Sequence, residues 1–281
     1  MKRFLIKPNP KMEHVREGIW NVANSLRELG ATVLMEHQYR CLGEIEEIKY
    51  CTSEEVDQVA EAVLVLGGDG TLLRAAHETR LPLLGINFGH LGFISELTKE
   101  ETDLFSRLIE DDFQIESRMM LRCVRIRNGE ENKPFYALND IVTSRGTGES
   151  ILRMNLLIDD AYADTYLADG LIVTTPTGST AYALSAGGSI LEPDVEALEI
   201  TPVCPHMLRA RSLVVSSQRK IAIMLAEEKS AHVVADGIAL YDIQAGDRLE
   251  IKRGEKETRF IRVHSRSFYD ILHEKLGSDT H

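Results

Sequence analysis

A glycine-rich turn carrying a single carboxylate is the first stretch of this chain able to do chemistry. Gly67-Gly68-Asp69-Gly70 closes the apolar run 62–66 and opens a helical pattern at Thr71. Glycines after a strand let the backbone turn sharply and bring amide groups up against a ligand. The N-terminus of the helix that follows favours negative charge. Such a cradle suits phosphate, yet Asp69 places an anion in it. The patterns G-x-x-x-x-G-K-[ST] and G-x-G-x-x-G are both absent, and without the lysine this is no P-loop. Three roles remain for Asp69: a general base for an attacking hydroxyl, a contact to a magnesium ion held by phosphates, or an ordinary turn aspartate.

Two more pieces have similar character. Gly85-Ile86-Asn87-Phe88-Gly89-His90-Leu91-Gly92-Phe93 follows the next apolar run. Adjacent parallel strands that both end in glycine-rich turns put both turns at the carboxyl edge of a sheet, where ligands sit. Phe93 is either a base-stacking ring or a core residue, and His90 has no assigned role. The third piece runs from Thr174-Thr175-Pro176-Thr177-Gly178-Ser179-Thr180-Ala181-Tyr182 to Ser185-Ala186-Gly187-Gly188. A hydroxyl-rich turn enters a short helix there, with Thr180 at its start and Tyr182 and Ser185 on one face. Leu138-Asn139-Asp140 and Ala168-Asp169-Gly170 set polar groups beside strands. Such groups can take a ribose edge or an adenine amine, or simply make turns.

The elements around these residues fall into two textures. In the first hundred residues a short strand at Phe4-Leu5-Ile6 precedes a helix over 15–29. A second strand candidate follows at 31–35 and continuous apolar strands at 62–66 and 81–86, with a short helix announced by the Thr52/Glu55 capping box. Alternation of strand and helix with apolar strands predicts a parallel sheet covered on both faces. A helix is expected over 100–110. Beyond it, short β-rich runs separated by turn residues predict an antiparallel, all-β domain. The tail carries Phe268, Ile271, Leu272 and Leu276 on one helical face, capped by Ser267 with Asp270.

Composition narrows the classes. The chain has 281 residues, 32 basic against 44 acidic, and a net charge of −12, the opposite of a nucleic-acid binder's basic face. Its four cysteines form no C-x-x-C pair, which predicts reduced thiols rather than disulfides or zinc ligands. No apolar stretch reaches membrane-spanning length, and the N-terminal apolar run is too short for a signal peptide, so a cytoplasmic protein without a membrane partner is expected.

In order and spacing, Gly67 to Thr71, Gly89 to Phe93, Asn139-Asp140, Asp169-Gly170, the run from Thr175 to Gly188 and the tail Ser265-Arg266-Ser267-Phe268-Tyr269 resemble the NAD kinase family. The first motif is shared with phosphofructokinases and with diacylglycerol and sphingosine kinases, while the Thr-Pro-Thr-Gly-Ser-Thr-Ala-Tyr run is far more specific. The resemblance implies transfer of the terminal phosphate of ATP, in some members of polyphosphate, to the adenosine 2′-hydroxyl of NAD. It implies an α/β nucleotide-binding domain over 1–98, a β-sandwich NAD-binding domain over 99–262, and a C-terminal helix, 263–281, returning to the first domain. Asp69 becomes the proton acceptor. Gly68 and Gly70 allow close approach, Arg74 reaches phosphates and Phe93 lies near adenine. Asn139 and Asp140 contact the nicotinamide-side ribose and its neighbours, and Asp169 the nicotinamide amide. Thr180, Ala181, Tyr182 and Ser185 line the nucleotide. Magnesium is held mainly through phosphates, with no metal site fixed by protein side chains alone, and a homodimer or homotetramer is implied. Two positions depart from the family pattern: Asp140 stands where glutamate is usual, and Ile238 follows Asp236-Gly237 where many relatives have glutamine. Both bear on substrate affinity. A lipid kinase of the diacylglycerol type and a non-catalytic NAD-binding sensor are the alternatives.

Overall fold

Apolar runs too short for helices and buried on both faces build a parallel sheet. In the computed structural model, which describes residues 1–89, 92–148 and 150–277, strand Arg3–Pro8 lies between Thr32–Glu36 and Ala62–Leu66. Lys49–Cys51 extends the sheet on one side and Leu83–Asn87 on the other, all in parallel pairing. Every residue of Ala62–Leu66 is buried, as a strand covered on both faces requires. Helix Val15–Glu28 turns Ile19, Val22, Ala23 and Leu26 inward, where they share a core with Phe4, Ile6, Leu64 and Ile86.

From Arg3–Pro8 the chain winds first to one side and then to the other. Pro8 and Leu66 are register partners, so the turns that follow them stand side by side. Such a point of reversal, at the carboxyl ends of the strands, is where open parallel sheets bind ligands.

The chain divides into two compact units, Met1–Ser117 with Thr258–His281, and Arg118–Glu257. The first unit therefore continues past the expected division after residue 98. The reason is packing: Phe105 and Leu108 are fully buried in the core of the parallel sheet. Residues 258–262 belong to it as well, with Phe260 pairing with Leu83. The expected helix over 100–110 is a 3-10 turn, Thr102–Leu104, followed by the helix Phe105–Ile109. The last helix, Phe268–Leu276, has the Ser267/Asp270 capping box read from the sequence, and none of its residues is buried.

Apolar–polar alternation builds the second unit from antiparallel strands. One sheet runs in the order Leu213–Ser216, Ala197–Val203, Gly170–Thr174, Asp140–Ser144, Ser230–Ala235, Ile238–Gln244. A second set includes Ala161–Ala168, Leu152–Ile158 and Ile221–Leu225. Ile141, Leu171, Val173, Leu198 and Ile200 of the first meet Leu152, Met154, Ile221 and Ile223 of the second in one core, which makes this unit a β-sandwich. The β-rich runs legible in the sequence, near 121–126, 135–138, 151–158, 171–175, 212–215, 221–225, 231–235 and 249–252, leave out strands Asp140–Ser144, Ala161–Ala168, Ala197–Val203 and Ile238–Gln244. Ala161–Ala168 and Ile238–Gln244 expose consecutive residues, Ala161 to Ala163 and Ile238 with Ala239, so neither shows a clean alternation.

Candidate active site

The glycine-rich turn of the first unit is shaped around Asp69. Gly67 has φ +150°, and a Cβ there would fall 2.6 Å from Thr71 Oγ1, so a side chain is excluded twice over. The helix begins at Asp69 rather than at Thr71, with Gly68 as its N-cap. Asp69 thus stands in the first turn, at the positive end of the helix. Its carboxylate accepts the Phe93 N–H at 2.7 Å, the Ser95 N–H at 3.2 Å and the Ser95 hydroxyl at 2.8 Å. A Cβ on Gly92 would lie 1.9 Å from Asp69 Oδ1, so the two motifs interlock through that glycine. His90 and Leu91 of the same motif lie outside the described residues.

Gly68 is half-buried and Gly70 is exposed, with open space where a Cβ would be. A cavity of about 570 Å³ opens beside the turn, lined among others by Asn9, Gly67, Gly68, Asn87 and Lys99. It lies where the strand order reverses. Arg74 is exposed farther along the helix, and its charge is felt by the Tyr39 hydroxyl. Phe93 is half-buried and holds Asp69 through its backbone, a role its ring gave no hint of.

In the second unit the hydroxyl-rich turn is built from its own side chains. Thr174 Oγ1 donates to the Asn139 carbonyl at 2.8 Å and Thr175 Oγ1 to the Leu138 carbonyl at 2.6 Å. The Gly178 N–H donates back to Thr175 Oγ1 at 3.1 Å. Ser179 donates its hydroxyl to the Pro176 carbonyl and accepts the Leu191 N–H, pinning the turn to the segment beyond it. The helix expected near Thr180 is a 3-10 turn, Thr177–Thr180, and a single α-turn, Tyr182–Ser185. Tyr182 and Ser185 are both exposed, and Thr180 and Ala181 are half-buried beside them.

Leu138, Asn139 and Asp140 are held from their other edge by Asp236. Its carboxylate accepts all three of their N–H groups, at 2.7, 2.8 and 3.1 Å. Asp140 gains no hydrogen bond to its own carboxyl among the described residues. Burial, and next the charge of Asp236, push it up to about 7. Asp169 is different: Arg145 donates to both of its oxygens, at 2.6 and 3.3 Å, and holds that carboxyl below its usual range.

The structure thus gathers Gly68, Asp69, Gly70 and Phe93 in one unit. It gathers Asn139, Asp140 and the turn at 174–180 in the other. Sequence reading missed Ser95 and the structural parts of Asp236 and Thr175. Ser95 lies two residues past Phe93 with no periodic signal, and only the fold brings it to Asp69.

An acidic residue in a glycine-rich turn at a sheet reversal, with a β-sandwich carrying a hydroxyl-rich turn, is the plan of a phosphotransferase. Residues 17–113 match the ATP-NAD kinase N-terminal domain model and residues 138–263 the ATP-NAD kinase C-terminal domain model. The NAD kinase of Acetivibrio thermocellus is 36% identical over 98% of this chain and 97% of its own. That of Carboxydothermus hydrogenoformans is 41% identical over 86% of this chain and 89% of its own. The crystal structure of an NAD kinase from Archaeoglobus fulgidus in complex with ATP aligns with TM-score 0.76 and 26% identity, covering 97% of this chain and 98% of that one. Yeast NADH kinase complexed with NADH shares the fold, with TM-score 0.89 at 24% identity over 100% of this chain and 88% of that one. The chain belongs to the NAD kinase family.

Proposed function

We propose that this chain transfers the terminal phosphoryl group of ATP to the adenosine 2′-hydroxyl of NAD, with Asp69 as the proton acceptor. The observation that carries the assignment of the base is the fixed carboxylate, held by two backbone N–H groups and one hydroxyl at the start of a helix. A ribose hydroxyl is barely acidic. A carboxylate in reach takes its proton as the new phosphorus–oxygen bond forms, while the bond from the γ-phosphorus to the β-phosphate oxygen breaks and ADP leaves on the opposite side. The Gly68–Gly70 backbone and the helix N-terminus stabilise phosphate oxygens. Arg74 would add charge from the same helix. A divalent cation, magnesium in this reading, neutralises charge on the donor phosphates when bound. Among the described residues no three His, Cys, Asp or Glu side chains are grouped for a metal.

The second unit supplies the acceptor's contacts in this reading. Asn139 and Asp140 meet the nicotinamide-side ribose, Asp169 the nicotinamide amide, and Thr180, Ala181, Tyr182 and Ser185 the nucleotide. Phe93 lies near adenine. Homodimers or homotetramers are expected. No helix among the described residues is long and apolar enough to cross a membrane.

The test is NADP formation by purified protein with NAD, ATP and magnesium, beside Asp69→Asn. The wild type should turn over, and the variant should lose about a thousandfold in kcat while still binding NAD. Full activity in Asp69→Asn removes it as the base and leaves the reaction standing. Binding of NAD without turnover indicates a sensor, and phosphorylation of a lipid instead indicates the lipid-kinase alternative.

A further inference from the structure

The Asp69 carboxylate is only as well placed as the segment that holds it, and one side chain grips that segment on both sides. Ser95 is 2% exposed and gives two of the three donors. Its neighbours are held from the end of the strand Arg248–Arg262. Arg262 Nη1 donates to the Ile94 carbonyl at 3.1 Å and to Glu96 Oε2 at 3.0 Å. The other Glu96 oxygen accepts the N–H groups of Val263 and His264, both at 2.7 Å. Arg262 Nε donates to Glu116. On the sheet side the Glu96 N–H donates to the Gly85 carbonyl at 3.0 Å, and a Cβ on Gly85 would come within 3.0 Å of Ser95 Cα.

This arrangement has one purpose legible in its geometry. A guanidinium presents several donors in a rigid plane, so it can hold a carbonyl and two carboxylates at once, where an ammonium is a single point. The Arg262 side chain is 14% exposed and that of Glu96 8%. Ser95 sits between the two gripped residues, so its backbone, and with it the N–H aimed at Asp69, is restrained from both sides.

We propose that Arg262 is a positioning residue for the reaction, acting through Ile94 and Glu96 to fix the Ser95 donors against the Asp69 carboxylate. The inference rests on the reading of Asp69 as the base. Arg262 bonds to Ile94, Glu96 and Glu116 rather than to the Asp69 carboxylate. Loss of the clamp lets the carboxylate drift, and small misplacements at a reacting centre are costly in rate rather than in binding.

The experiment is a steady-state comparison of Arg262→Lys, Glu96→Gln, Ser95→Ala and Ser95→Thr, with Arg262→Lys also made in the Asp69→Asn background. Arg262→Lys and Ser95→Ala should each lower kcat about tenfold or more, with KM for NAD and ATP within about twofold of wild type. Glu96→Gln perturbs the same clamp more gently and should fall between. Ser95→Thr keeps the hydroxyl and should restore most of the rate. In the Asp69→Asn background Arg262→Lys should cost little more, because the group it positions is gone. A full kcat in Arg262→Lys overturns the proposal. So does a loss confined to KM, or one that carries undiminished into the Asp69→Asn background. An active Asp69→Asn enzyme instead removes the base, which is a separate failure read from its own arm. Should Arg262→Lys fold poorly, Glu96→Gln and the Ser95 pair decide the matter, since an unchanged kcat in both Glu96→Gln and Ser95→Ala is equally fatal.

Discussion

In the first unit the backbone holds a side chain, and in the second the side chains hold the backbone. Asp69 is gripped by the N–H groups of Phe93 and Ser95 and by the Ser95 hydroxyl. Around Asn139 the direction is reversed, with Thr174, Thr175 and Asp236 bonded to the main chain of residues 138–140. The difference matches two tasks. One unit presents a single group in one fixed place, which suits a base. The other fixes the path of a turn and so the shape of a wall, which suits recognition of a large nucleotide. Asp140 shows what the second arrangement costs: Asp236 takes the local donors, and the neighbouring carboxyl is left buried beside a charge.

The largest effect expected from disturbing this contrast is on Asp140 itself. Its carboxyl is raised from 3.8 to about 7, first by burial and then by Asp236. The folded state therefore binds a proton that the unfolded state has released. The stability contributed by this one group is full below pH 4 and is lost as pH rises to 7, by up to ~4 kcal/mol. Asp140→Asn cannot ionise. Urea denaturation should show the variant gaining on the wild type between pH 4 and 7, with a constant gap above; parallel profiles would remove the buried-acid account.

Asp236→Ala comes next. It leaves three N–H groups without their acceptor, at about 3 kcal/mol in stability. The KM for NAD should rise about tenfold as the turn loosens, with kcat less affected. A variant with wild-type stability and KM would show that Thr174 and Thr175 hold the turn alone. The smallest effect, close behind, is Gly92→Ala. The added methyl overlaps Asp69 Oδ1 and should lower kcat about a hundredfold by displacing the carboxylate. Its KM for NAD should stay near that of the wild type. A KM effect in place of a kcat effect would erase the distinction between the two units.

The two-texture plan was legible because its signals are local. Ala62–Leu66 is apolar throughout since both faces are covered, and the last helix announces itself by a capping box that forms as read. Asp69 stood out because a carboxylate is odd in a phosphate cradle. Other elements sent weaker signals. Strand Ile238–Gln244 has exposed residues on both faces, so no alternation marks it. The helix near Thr180 shrank to a single turn because Ser179 and Thr175 draw the chain into hydrogen bonds of their own.

By itself the sequence determined the class of each unit, the positions of the glycine-rich and hydroxyl-rich turns and the family, since strand periodicity, glycine punctuation and motif order are all short-range. Tertiary structure alone decided who holds Asp69. Ser95 is 26 residues from it, and Arg262 is 168 residues from the Ile94 carbonyl it grips. Partners so far apart along the chain leave no periodic trace, because only the assembled sheet brings them within hydrogen-bond reach. The same is true of Asp140. Its neighbour Asp236 arrives by strand pairing from 96 residues away, and that arrival turns an ordinary aspartate into a buried acid.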